Sequence, residues 1–388
     1  MENSKIITSN EKSEEVMISN QFIFKSSDKL KYDPILQIYK GINKKTNEEI
    51  AIKIIFENTE FHYLIHEYSI LNNLQNIENF PKIIYFSQSE EKVILITNLL
   101  GKNLEQLIRN QPTKHFSLKT TLMLSIQILK IIQIFHEKNY IHRNIKPENF
   151  LIGLKNLSLI NLIGFNLSRH YMNQKDNIHI PYKEGKSFIG TIRFCSIYTH
   201  FGFEQSRRDD LQSIGFMLIY FIKGSLPWMG IKCKNIKEKI MRIKEKKIEV
   251  IPQILCHNVD FSIKSYFDYV LNLKFEEKPN YDFLINLFLD DLKRNNFDND
   301  LNFDWCQRKS ISDNKENYNI QSNINNKFYN TFGSQMNFSY SISHNKTKND
   351  NNNYHQITQQ SINMSQNNPY NQYYQKNKSV EISFEQTK

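Results

Sequence analysis

Residues 140–153 read Y-I-H-R-N-I-K-P-E-N-F-L-I-G. They follow a run whose apolar residues Leu122, Ile126, Leu129 and Ile132 recur at the spacing of one helix face, and they lead into a short β-like segment over 149–152. The stretch is therefore a connection from a core helix to a core strand. Between the two stand His142, Arg143, Asn144, Lys146 and Asn149, polar residues in a fixed register, with Glu148 as the one carboxylate.

A chain of 388 residues has room for more than one compact unit and a tail. Its formal charge is +10, of which residues 309–388, with eight Lys against five acids, supply +3. A basic folded part suggests acidic or phosphorylated partners and, less specifically, nucleic acid. No charged-then-apolar signal opens residues 1–20, and the longest apolar run, 216–222, is too short to span a bilayer. The expectation is a protein that engages no membrane and works in the cytoplasm, with the nucleus or cytoskeletal structures as further locations. Cys195, Cys233, Cys256 and Cys306 are scattered, with no Cys-x-x-Cys pair, which argues against zinc and for reduced thiols. Beyond Arg308 the sequence is rich in Asn, Gln and Ser with interleaved Tyr, a composition that does not bury a core.

Three further stretches complete the pattern: R-F-C-S-I-Y-T-H from Arg193, E-Q-S-R-R-D-D-L from Glu204 and G-S-L-P-W from Gly224. With H-R-N-I-K-P-E-N, and with F-E-E-K-P-N-Y from Phe275 and F-D-W from Phe303, they resemble the casein kinase I family of Ser/Thr protein kinases over about residues 20–308. The resemblance implies an α+β, two-lobed protein-kinase fold with a β-rich small lobe, an α-helical large lobe and a disordered C-terminal tail. The implied division is a flexible arm at 1–18, the small lobe at 19–100, the large lobe at 101–308 and the tail at 309–388. Strands are expected near 22–25, 35–41, 50–56 and 93–100, a helix over 61–74 and a central buried helix over 211–222, apolar nearly all round.

What the resemblance implies for chemistry is a site with gaps. A kinase catalytic loop needs an Asp to accept the substrate proton, a Lys to neutralise the moving phosphoryl group and an Asn to hold magnesium. Lys146 and Asn149 match; the base position holds Asn144. The metal-binding Asp, which opens Asp-Phe-Gly, aligns with Gly164 in Gly164-Phe165-Asn166, and no Asp or Glu lies between Lys155 and Lys175 to replace it. The glycine-rich phosphate loop aligns with Lys31, Asp33 and Leu36, and no glycine occurs in residues 1–40. Retained are Lys53 with its partner Glu67, and the apolar walls of an adenine pocket from Ile38, Ala51, Leu100 and Leu151, with Thr97 behind them. Phe165, His142 and Leu71 would form the packed column of the fold. No metal set and no firm cofactor follow, only weak ATP binding that does not depend on magnesium.

The family also builds an anion site for phosphorylated substrates, and its positions here are Arg193, Gly230 and Lys239, all of the required type. The basic stretch 231–247 otherwise reads as a solvated helix face. The expected function is a non-catalytic binding or scaffolding protein, monomeric, that recognises phosphorylated or acidic protein segments. One rival is a weakly active Ser/Thr kinase that passes phosphate from ATP to acidic or primed proteins. The other is a nucleic-acid-binding module using the basic helix and Arg207-Arg208, which lacks any recognised nucleic-acid motif.

Overall fold

The computed structural model describes residues 15–31, 35–56, 58–250 and 252–306. The arm before residue 15, Tyr32-Asp33-Pro34 of the phosphate-loop position and the tail after residue 306 lie outside them. Within the described residues the chain forms two compact units. One holds the residues up to Asn110 together with Ile131–Ile178; the other holds Gln111–Lys130 and the residues from His179 onward. Residues Ile131–Ile178, which include the 140–153 connection, go with the first unit.

The first unit is built on a six-stranded sheet in the order β1-β2-β3-β4-β6-β5. Its strands are β1 (Glu15–Ile18), β2 (Phe22–Lys31), β3 (Gln37–Asn43), β4 (Glu48–Ile55), β5 (Ile83–Gln88) and β6 (Val93–Asn98). Alternation decides the faces. Ile50, Ile52 and Ile54 join Phe22, Phe24, Tyr39, Ile94 and Ile96 in one buried cluster, and Ala51 and Lys53 turn to the other side. The arm expected over 1–18 loses its last residues to β1, which pairs antiparallel with β2. Ser19 and Asn20 turn the chain at φ 49 and 51, both left-handed, within the three-residue connection 19–21 between the paired Ile18 and Phe22. Val16, Met17 and Ile18 are too short an apolar run to be seen as a strand without that partner.

Helix α1 (Phe61–Asn73) packs on β5 and β6, and β7 (Leu100–Asn103), β9 (Phe150–Gly153) and β10 (Ile160–Leu162) form a second sheet. Short α2 (Leu104–Asn110) follows β7, and β8 (Tyr140–Ile141) pairs with β11 (Arg169–His170). The long helix α3 (Leu118–Glu137) begins in the second unit and ends in the first. By length and composition α3 could cross a membrane, but 72% of its apolar window is buried in the protein.

The second unit is helical: α4 (Ile197–His200), α5 (Arg207–Lys223), α6 (Ile236–Glu249), α7 (Pro252–Leu255), α8 (Phe261–Asn272) and α9 (Tyr281–Arg294). At the start of α5 the Ser206 amide donates to Asp209 Oδ2 at 2.8 Å, and Gly224 at φ 69 ends the helix. Gly215 lets α8 come close, since a Cβ there would stand 2.8 Å from the Phe267 ring. Tyr266 of α8 donates to the Leu211 carbonyl at 2.7 Å. The unit closes on Asp304, which accepts from the Ser117 amide and hydroxyl at 2.7 and 2.6 Å.

Candidate functional site

Register positions the first pair of residues. Ile38 lies opposite Lys53 in the β3–β4 ladder, and Ala51 lies opposite Thr97 in the β4–β6 ladder. Lys53 therefore points to the face covered by α1. Its Nζ reaches Glu67 Oε1 of that helix at 2.5 Å, with both side chains almost wholly buried. Two opposite charges taken out of water this way hold each other in place, because either one alone would be an uncompensated buried charge. Of the apolar wall positions, Ala51 is buried, whereas Ile38, Leu100 and Leu151 keep part of their surface in solvent. Leu100 and Leu151 belong to the β7–β9 sheet, where Leu100 pairs with Gly153 and Leu151 with Asn103.

The connection 140–153 is held by hydrogen bonds and ring packing. Arg143 adopts φ 62, an unusual state for a residue with a side chain, and its Nε donates to the Leu167 carbonyl at 2.6 Å. His142 is buried with Nε2 3.0 Å from the Ile163 carbonyl oxygen. Its ring stands edge-on to Phe165 at 5.7 Å, and Phe135 and Phe80 join the stack at 5.5 and 6.2 Å from Phe165. Leu71, fully buried on α1, completes the set, since α1 packs on the short turn Phe165–Leu167. The sequence named three members of this column and missed Phe80 and Phe135. Phe135 continues the helix face of Ile132 by three residues and was open to detection; Phe80 sits in a loop with no periodicity. His66 adds a further tie, with Nε2 2.7 Å from the Ser168 carbonyl oxygen.

At the centre of the loop, the Asn149 amide nitrogen donates to the Asn144 carbonyl at 2.8 Å, and the Asn149 carbonyl accepts from Ile163 N at 2.9 Å. These bonds press the Asn149 side chain against Gly164. A Cβ built on Gly164 would lie 2.7 Å from Asn149 Oδ1 and 2.8 Å from its Cγ. Gly164 also has φ +85, which favours glycine. The space in which a residue-164 carboxylate would begin is thus taken by the Asn149 amide, a contact that sequence alone did not disclose. Lys146 is half-buried and makes no side-chain hydrogen bond or ion pair with the other described residues.

Magnesium, which a kinase-like site implies, does not fit these donors. It is a hard ion that prefers carboxylate oxygens, and positions 144 and 164 offer an amide and no side chain. Glu148 is the loop's one carboxylate; its Oε2 is buried without a hydrogen-bond partner among the described residues, but no third acidic, His or Cys side chain converges with it. Of the phosphate-loop positions, Lys31 is the last residue of β2, opposite Ile38, and Asp33 is outside the described residues.

The anion-site residues all belong to the second unit. Arg193 is partly buried, with its guanidinium carbon 5.5 and 5.9 Å from the Phe194 and Tyr220 ring centroids, and its carbonyl accepts from the Trp228 indole at 2.8 Å. Gly230, two residues on, has φ 80 and nothing within 4 Å of the place a Cβ would occupy. Lys239 is exposed on the second turn of α6 and makes no side-chain bond among the described residues. The expectation for α6 needs correction in two respects. The helix starts at Ile236, capped by Asn235, whose Oδ1 accepts from Glu238 N at 2.9 Å, so Lys232 and Lys234 precede it. Lys247, read as part of a solvated face, is fully buried. Its Nζ donates to the Ile192 and Cys195 carbonyls at 3.0 and 2.7 Å and lies over the Phe216 and Trp228 rings. Burial lowers its pKa to about 8 and raises that of the neighbouring Cys195 thiol. All four cysteines are free, as expected.

Compared with known proteins, residues 36–305 match the family model described as the protein kinase domain.

Proposed function

The chain belongs to the protein kinase family, and from that premise we propose that it is a casein kinase I-like member that binds phosphorylated or acidic protein segments and does not transfer phosphate. The observation that carries the proposal is the Asn149 amide packed on Gly164, where the metal-holding Asp of a kinase would stand. Asn144 removes the proton acceptor a few residues away. Losing a general base costs about 10²–10⁴ in rate, and metal stabilisation of the phosphoryl group is worth several kcal/mol more. The two losses multiply.

Binding is assigned to Arg193, Gly230 and Lys239. An Arg fork and a Lys suit a phosphate, and the open Cα of Gly230 lets a ligand approach the backbone N–H. Charge-assisted hydrogen bonds contribute about 1.5–3 kcal/mol each, which gives roughly micromolar affinity once association entropy is subtracted. The test is calorimetric titration of the intact protein with an acidic phosphopeptide. Arg193→Ala with Lys239→Ala is expected to weaken binding at least tenfold; equal affinities would remove the site from consideration.

The second reading, a weakly active Ser/Thr kinase, draws support from the intact Lys53–Glu67 pair, which is the small-lobe arrangement of a working enzyme. Phosphate transfer to an acidic peptide that is abolished by Lys53→Met would establish it. We expect no transfer above the uncatalysed background.

A further inference from the structure

We infer that the site in the first unit takes an adenosine polyphosphate free of metal, and that magnesium opposes its binding. The inference rests on the reading of this site as one that has lost its metal, and it concerns the charge left behind. In a working kinase two carboxylates stand beside the phosphates, and a doubly charged magnesium ion offsets them. Here Asn144 and Gly164 remove both negative charges, so the uncomplexed nucleotide meets about the same local sum of charge as the magnesium complex meets in a kinase.

The cations that remain divide into two kinds. Lys53 is neutralised by Glu67 at 2.5 Å. Lys146 is half-buried and has no side-chain partner among the described residues, so its charge is available to a phosphate; the loop's one carboxylate, Glu148, has its Oε2 buried. Asn149, with its side-chain nitrogen donating to the Asn144 carbonyl, offers a metal one neutral oxygen and no charge. A magnesium ion carried in on the nucleotide would therefore approach Lys146 with no carboxylate at positions 144 and 164 to offset it, like charge against like. Stripping the ion from the nucleotide removes that repulsion. The apolar positions Ile38, Leu100 and Leu151, which retain exposed surface, remain to receive the adenine.

The experiment is calorimetric titration of the full chain with ATP in excess EDTA and again in excess magnesium at matched ionic strength, with adenosine as the uncharged probe. Magnesium is expected to weaken ATP binding by about tenfold and to leave adenosine binding unchanged. Lys146→Met is expected to weaken ATP in EDTA by about tenfold while adenosine affinity stays the same. Tighter binding of ATP in magnesium overturns the inference, as does equal affinity for ATP and adenosine, or no ATP binding at all. Any of these without phosphate transfer leaves the non-catalytic reading in place, whereas transfer of phosphate to a peptide overturns that reading instead.

Discussion

Two residues decide whether the site can be repaired. Asn144→Asp restores a carboxylate at the base position but leaves the metal without its ligand, so it is expected to yield no phosphate transfer. Gly164→Asp meets a harder obstacle. Its Cβ would press on the Asn149 amide, and φ +85 strains any side chain, so the variant is expected to lose about 1–3 kcal/mol of stability. Urea denaturation measures that loss, and a magnesium-dependent rise in melting temperature for the variant would show that Asn149 moves aside. Lys53→Met is expected to cost about 3–5 kcal/mol, since it leaves Glu67 buried and unpaired. The double variant Lys53→Met, Glu67→Leu should cost less than either single change. A double variant whose cost equals the sum would mean that the two side chains are not coupled.

At the scale of elements, α6 shows what helix periodicity leaves unsaid. Eight basic residues in 231–247 look alike in the sequence, yet Lys247 alone is sealed under carbonyls and aromatic rings. Its folded pKa of about 8 lies below the ordinary lysine value of 10.5, so the unfolded chain binds more protons between those limits and the stability contribution of this residue rises with pH there. The expected outcome is that Lys247→Met is destabilising at pH 7, through two orphaned carbonyls, and more so at pH 9.5, where the native protein has shed the buried charge. Denaturation at the two pH values checks this; an equal penalty at both would place the amine in a more polar setting. Hairpin β1–β2 gives a second case. Ser19 and Asn20 both sit at positive φ, so Asn20→Gly should be neutral or stabilising, and Asn20→Val should cost about 1 kcal/mol or more.

For the whole molecule, the matched region ends at residue 305 and the described core at residue 306. Phe303 is fully buried and Asp304 holds the start of α3 through Ser117. Removal of residues 309–388 is therefore expected to leave the melting temperature within about 2 °C, whereas removal from residue 301 onward should lower it by about 4 °C or more, as the loss of a buried Phe and two charge-assisted bonds implies. Differential scanning calorimetry of the two truncations separates these outcomes.

The α+β fold was legible from residues 140–153 outward, because a helix-to-strand connection with polar residues at fixed spacing, and the motifs downstream of it, are local patterns that survive in one dimension. The losses at Asn144 and Gly164 were equally local, since a missing carboxylate is a matter of residue type. Tertiary structure alone settled what stands near what. It put the Asn149 amide over Gly164, turned Lys247 inward, drew Glu15–Ile18 into the sheet and assigned the 140–153 connection to the first unit. Each of those outcomes depends on contacts between residues far apart in sequence or on which face of an element is covered, and neither periodicity nor residue type carries that information.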